Sequence, residues 1–156
     1  MAKVELSQIK PRTGSTYPGR LADQMNGRTS LRVGDAGGIT QFGANIIILA
    51  PNAKSSLRHW HLNEDEFVMV TQGTVTLVMD DGETEMHTGD CAAFPAGVQN
   101  GHCFVNKSTS EARFLVVGTR APYEEAIYSD IDMKVVLEKG QGKFTRRDGT
   151  ELPDDI

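Results

Sequence analysis

Short runs rich in valine, isoleucine, threonine and aromatic residues recur along the chain, each closed by Gly, Pro, Asn or Asp. No segment carries helical periodicity, so the rhythm admits only an all-β architecture, a barrel or a sandwich. TSLRV at residues 29–33 reads as a short strand and GDAGG as a loop. Residues 39–50 read as a long strand whose IIIL run is apolar on both faces. Such a strand is covered on both sides, by ordinary core or by core on one side and a subunit interface on the other. In GTVTLVM at 73–79 the threonines face away from Val75, Leu77 and Met79. Asp80-Asp81-Gly82 then makes a tight turn, and 83–87 returns as the partner strand. His87 is expected at the surface. Residues 112–119 form another buried strand, Pro122 to Glu125 interrupts the pattern, and the tail is expected to end in a hairpin at Asp148-Gly149.

A chain of 156 residues makes one domain, burying about 70% of its unfolded surface. Pro11, Gly14, Pro18, Gly19 and Gly27 leave residues 1–28 as an extended arm. The barrel core is expected over 29–121, with strands and a tail over 122–156. Hydrophobic content of 38% with 24% charged residues excludes a mainly disordered chain. A net charge of -5 argues against nucleic-acid binding, and no apolar run approaches the roughly 18 residues of a membrane span. The first residues, MAKVELSQIKPR, lack the apolar centre of a signal peptide, so a cytoplasmic location is expected. Cys91 and Cys103 are then expected as thiols, read as two small buried hydrophobes.

The chemistry concentrates in SLRHWHLNEDEFVMVTQG, residues 56–73. Alternation on a strand puts His59 and His61 on one face and Arg58, Trp60 and Leu62 on the other. LNED turns the chain, and Glu66 opens EFVMV, where it can return a carboxylate to the same ion. Two imidazoles and a carboxylate suit a first-row divalent metal. Paired strand histidines are equally compatible with a surface or satisfied core role.

About forty residues on, TGDCAAFPAGVQNGHCFVNKS supplies His102. At this point the chain resembles the cupins. The first motif of that family is His-x-His, three or four residues, Glu, six residues, Gly, met by His59, His61, Glu66 and Gly73. The second is Gly, five residues, Pro-x-Gly, two residues, His, three residues, Asn. Gly89, Pro95, Gly97, His102 and Asn106 match it, except that four residues separate Gly97 from His102. Ala53 stands where the first motif begins with glycine. The resemblance covers residues 31–120. It implies a double-stranded β-helix, the jelly-roll barrel of the cupins, and one divalent transition metal ion (Zn, Mn, Fe, Ni or Co) on His59, His61, Glu66 and His102. Arms such as 1–28 often lie along the barrel or reach a neighbouring subunit in that family, and a homodimer is expected.

GGITQFGANI, FLVVGTR and IYSDIDMK resemble a subgroup of small bacterial cupins labelled sugar-phosphate isomerases, which makes a small polar metabolite the expected partner. Four protein ligands on a six-coordinate ion leave two positions for substrate. In an isomerase a base must carry a proton between adjacent carbons, and Glu64 is the nearest spare carboxylate, unless it is simply a solvated turn residue. A phosphate would need cations. Arg58, Arg113 and Arg120 are the candidates, yet none makes an evident cradle. The same ligands suit an iron-dependent dioxygenase, and a cupin that binds a small ligand without catalysis is the third reading.

Overall fold

The computed structural model describes residues 3–138, 140–153 and 156. Thirteen strands follow in chain order: β1 (Arg12–Thr13), β2 (Arg28–Leu31), β3 (Phe42–Leu49), β4 (His59–His61), β5 (Glu66–Gln72), β6 (Thr74–Met79), β7 (Gly82–His87), β8 (Cys91–Phe94), β9 (Cys103–Val105), β10 (Ala112–Thr119), β11 (Tyr123–Tyr128), β12 (Lys134–Glu138) and β13 (Gln141–Thr145). One sheet runs β1-β2-β3-β10-β5-β8, a second β13-β12-β11-β4 and a third β7-β6-β9. The fold is the all-β barrel expected, and the ladders among described residues are antiparallel.

Alternation explains the layering. Inward positions of the large sheet form register rows: Ile47, Phe114 and Val70 in one, Asn45, Val116, Val68 and Ala92 in the next. Against the first row pack Val75, Leu77, Met86 and Phe104 from the three-stranded sheet, and the whole makes one apolar core. Phe104 and Phe114 stack obliquely at 4.9 Å between ring centres. A second cluster, Leu21, Ala126, Tyr128, Met133 and Val135, joins the four-stranded sheet to the 3-10 turn Gly19–Met25 and to the tail.

The long strand is narrower than expected, starting at Phe42, and its apolar run divides by face. Ile47 and Leu49 are buried, while Ile46 and Ile48 are half-buried outside, on the face where Phe67 and Met69 are exposed. GDAGG is no simple loop, because Val33–Ala36 closes one helical turn. Pro122 does not break the sheet: β11 starts at the next residue, since proline only has to stay outside the ladder. The tail hairpin is β12 with β13, not a hairpin at Asp148-Gly149. There Asp148 accepts from Thr150 and Arg146 N–H reaches Thr150 O at 2.9 Å, a turn with no returning strand. Among the described residues no helix is long and apolar enough to cross a membrane.

Phe114 is 2% exposed at the centre of the core. Phe114→Ala is expected to cost about 3–5 kcal/mol of stability, measured by urea unfolding; a loss below about 1 kcal/mol would mean that this layer is not close-packed.

Candidate metal centre

β4 is only three residues long, yet both its edges are held. On one, Tyr128 pairs with His59 and Ala126 with His61. On the other, His59 and His102 exchange two backbone hydrogen bonds, of 3.2 and 2.9 Å, and Gly97 N–H donates to His61 O at 2.8 Å. The two extra residues after Gly97 therefore bulge into the turn without displacing His102. Glu66 arrives from the start of β5, opposite Phe94.

These supports bring four groups together. His59 Nε2 lies 3.2 Å from His61 Nε2. Glu66 reaches His61 Nε2 at 3.5 Å with one oxygen and His102 Nε2 at 3.4 Å with the other. Ligand atoms of His59, His61 and Glu66 all lie within 4.8 Å of one another, a spacing that could hold one ion. His102 stacks flat on Phe94, with ring centres 3.6 Å apart and planes 7° apart.

The rings are oriented from behind. His59 Nδ1 donates to Leu57 O at 2.8 Å, and His61 Nδ1 faces Glu124 Oε1 at 3.3 Å. Both Nε2 atoms are left to face inward. Glu124 is fully buried and accepts Leu62 N–H at 2.9 Å and Asn63 N–H at 2.7 Å, so its carboxylate is satisfied without a cation. Glu124 lies outside both histidine motifs. The signal was available: Ala126 and Tyr128 are apolar at spacing two, which places 124 on their inward face.

His102, by contrast, is 2% exposed; neither ring nitrogen makes a well-formed hydrogen bond, and Nε2 has only Glu66, at 3.4 Å. A buried unpaired polar group is costly, and a cation coordinated by Nε2 would remove part of that cost, so the donor set fits a metal. Charge in the cluster is finely divided. Burial, followed by the charge of His61 and His102, pushes His59 down to about 3. Burial also opposes charge on His61, but hydrogen bonds to Glu124 and Glu66 prevail and raise it to about 9. For Glu66 burial is likewise overcome, and His102 and His61 hold its carboxyl well below the usual carboxylate range.

Glu64 is half-buried, and its Oε1 accepts Ala121 N–H at 2.8 Å. Burial raises its pKa, and the charges of Glu124, His61 and Arg120 act on it. Arg58 points away from the ligand face, as alternation required, and pairs with Asp130 and Asp80. Arg113 pairs with Glu111, and Arg120 with Asp35. Cys103 is buried, but Cys91 is exposed: it lies on the outward face of β8 opposite Met69, where no second layer covers it. A cleft of about 340 Å³ lies elsewhere, lined by Leu57, Arg58, Cys103 and Asp130 among others, and none of the four clustered residues lines it.

Comparisons with known proteins agree with this geometry. The cupin domain profile matches residues 45–118. A crystal structure of a sugar phosphate isomerase from a cupin superfamily, from Silicibacter pomeroyi, is 58% identical, with 98% of each chain covered and a TM-score of 0.95. A structure from Acidithiobacillus ferrooxidans is 24% identical over 98% of this chain and 95% of that one, with a TM-score of 0.80. The polyketide cyclase RemF from Streptomyces resistomycificus is 24% identical over 76% of this chain and 79% of its own, with a TM-score of 0.62. At those identities the likeness is one of fold. No functionally curated protein matches the chain. With both histidine motifs folded into one cluster and a full-length relative at 58% identity, the chain belongs to the cupin superfamily.

Proposed function

We propose that the chain is a metal-dependent isomerase of small phosphorylated sugars, with His59, His61, Glu66 and His102 holding one divalent transition metal ion. The observation that carries the reading is the cluster in which two histidines are oriented from behind and a third, the buried His102, faces only Glu66. Support for the substrate class comes from the likeness to the Silicibacter pomeroyi protein. A bound divalent ion supplies Lewis acidity toward neighbouring hydroxyl and carbonyl oxygens.

The protein's own part is orientation and proton handling. Leu57 O and Glu124 fix the rings of His59 and His61. Phe94 covers one face of His102 and keeps water from it. Glu64 is the group we assign to carrying the proton between adjacent carbons. One of its oxygens is anchored by Ala121, which leaves the other for substrate.

Metal stoichiometry tests the ligand set. Protein purified without chelator is expected to hold one equivalent of metal by elemental analysis, and His59→Ala with His61→Ala to hold none. Glu124→Gln is expected to stay folded and to bind metal about 10–100-fold more weakly. Unchanged stoichiometry in the double variant would eliminate the site.

Proton competition gives a second test. In the metal-free protein His61 is charged below about pH 9, so an ion must displace its proton. Affinity is expected to climb by about tenfold per pH unit from pH 7 and to level off near pH 9. Calorimetry in buffers of different ionisation enthalpy would detect the released proton; a flat profile would contradict the displacement.

Activity separates the chemistries. Glu64→Gln is expected to lower turnover by about 10²-fold or more with metal content intact. Substrate-dependent oxygen uptake by the iron-loaded protein would replace the isomerase reading with a dioxygenase.

A further inference from the structure

We propose that the barrel mouth beside Glu66 is a binding site for the anionic end of a hydroxylated metabolite, floored by Gly43 and Gly118 and supplied with donors by Asn45 and Arg120. The proposal rests on the metal-centre reading and adds to it the place where the far end of the substrate lies.

The large sheet presents Gly43, Gly118, Glu66 and Phe94 in one inward row, in ladder register across β3, β10, β5 and β8. All four are half-buried, whereas Val70 and Phe114 two rows deeper are sealed, so this row borders the open end of the barrel. Two glycines facing each other weaken a sheet, and backbone geometry does not call for them, since neither has a left-handed φ. Packing does not demand them either. A Cβ on Gly43 would meet nothing closer than 3.8 Å, and one on Gly118 nothing closer than 3.4 Å. What the pair leaves is a bare backbone floor next to Glu66.

Polar groups gather at the Gly43 end. Asn45 Nδ2 and Arg120 Nε lie 3.8 and 3.9 Å from the point where that Cβ would sit. The Arg120 guanidinium is held across the rim, with Nη1 donating to Ile39 O at 3.2 Å and Nη2 paired with Asp35. Its Nε, 3.9 Å from that Cβ position, is the guanidinium nitrogen with no hydrogen-bond partner among the described residues. At the other end of the row the ring of His102, 2% exposed, stacks on Phe94 and presents Nε2 to Glu66 at 3.4 Å. The row thus runs from a buried imidazole to a guanidinium.

Spacing and charge define the ligand. Two strand spacings separate β3 from β5, about 10 Å. A molecule with oxygens at the cluster and an anion at Arg120 is then roughly four to six carbons long. With both Nη groups of Arg120 engaged, its Nε–H and the Asn45 amide are the donors left for a phosphate or carboxylate at the rim.

The test uses the full chain loaded with cobalt and titrated calorimetrically with glucose 6-phosphate, glucuronate and glucose, and with ribose 5-phosphate and ribose. At least one anionic sugar is expected to bind tenfold or more tighter than its neutral parent, and phosphate against carboxylate identifies the anion. Arg120→Gln is expected to cut that affinity by about 10–100-fold, to leave the neutral parent within about twofold, and to leave cobalt affinity unchanged. Gly43→Val is expected to weaken every sugar with no loss of Tm, and Gly43→Ala serves if valine destabilises the strand. A preference that survives Arg120→Gln, neutral sugars that bind as tightly as anionic ones, or full affinity in both Gly43 variants would overturn this site while leaving the metal centre standing. Failure of the wild-type chain to bind cobalt would overturn both.

Discussion

Two backbone hydrogen bonds between His59 and His102 tie the histidine cluster and the barrel wall together at one point. They link β4, the edge of the four-stranded sheet, to the segment entering β9 of the three-stranded sheet. Apart from these bonds, a bridge between Lys54 and Val105 is the only other isolated pairing among the described residues. The second wall of the barrel is therefore closed by the same residues that carry two of the imidazoles. Ring positions follow from main-chain geometry, which is stiffer than any side-chain contact. A change that opened the wall would scatter the cluster as well.

The cluster also places opposed electrical demands on neighbouring groups. His59 is driven neutral by burial, while His61, with its Nε2 3.2 Å from that of His59, is driven charged by two carboxylates. With its Nδ1 turned to Glu124, His61 is held from behind while its Nε2 faces that of His59. Glu124 makes this possible because two backbone N–H groups already stabilise its charge. A carboxylate that depended on His61 alone would be far less secure in so dry a position.

Much of this was legible beforehand, and the exceptions have physical reasons. Alternation alone separated His59 and His61 from Arg58, and the strands at 73–79 and 112–119 fell almost where expected, because their apolar faces are regular. Glu124 was hidden. In YEEAIY the two acids are adjacent, one facing in to His61 and the other pairing outside with Lys134 at 3.0 Å, and Pro122 made the stretch look like a break. The Asp148-Gly149 pair had the right residues for a hairpin, but a turn becomes a hairpin only when strands flank it, and TELP supplies none. Cys91 was misplaced because composition gives a residue's average burial and not which side of β8 it occupies.

The longer turn after Gly97 has one more consequence. Its surplus residues lie outside the wall: Val98 is exposed, and the Asn100 side chain is tied to Asp80 N–H at 3.0 Å. At Gly101 the chain comes so close to Ser129 that a Cβ would sit 1.9 Å from its hydroxyl, so the turn is pinned just before His102. Length and composition upstream of that pin are thus mechanically insulated from the imidazole. The segment is one that drift or engineering can lengthen, shorten or recolour with new side chains while His102 keeps its register with His59.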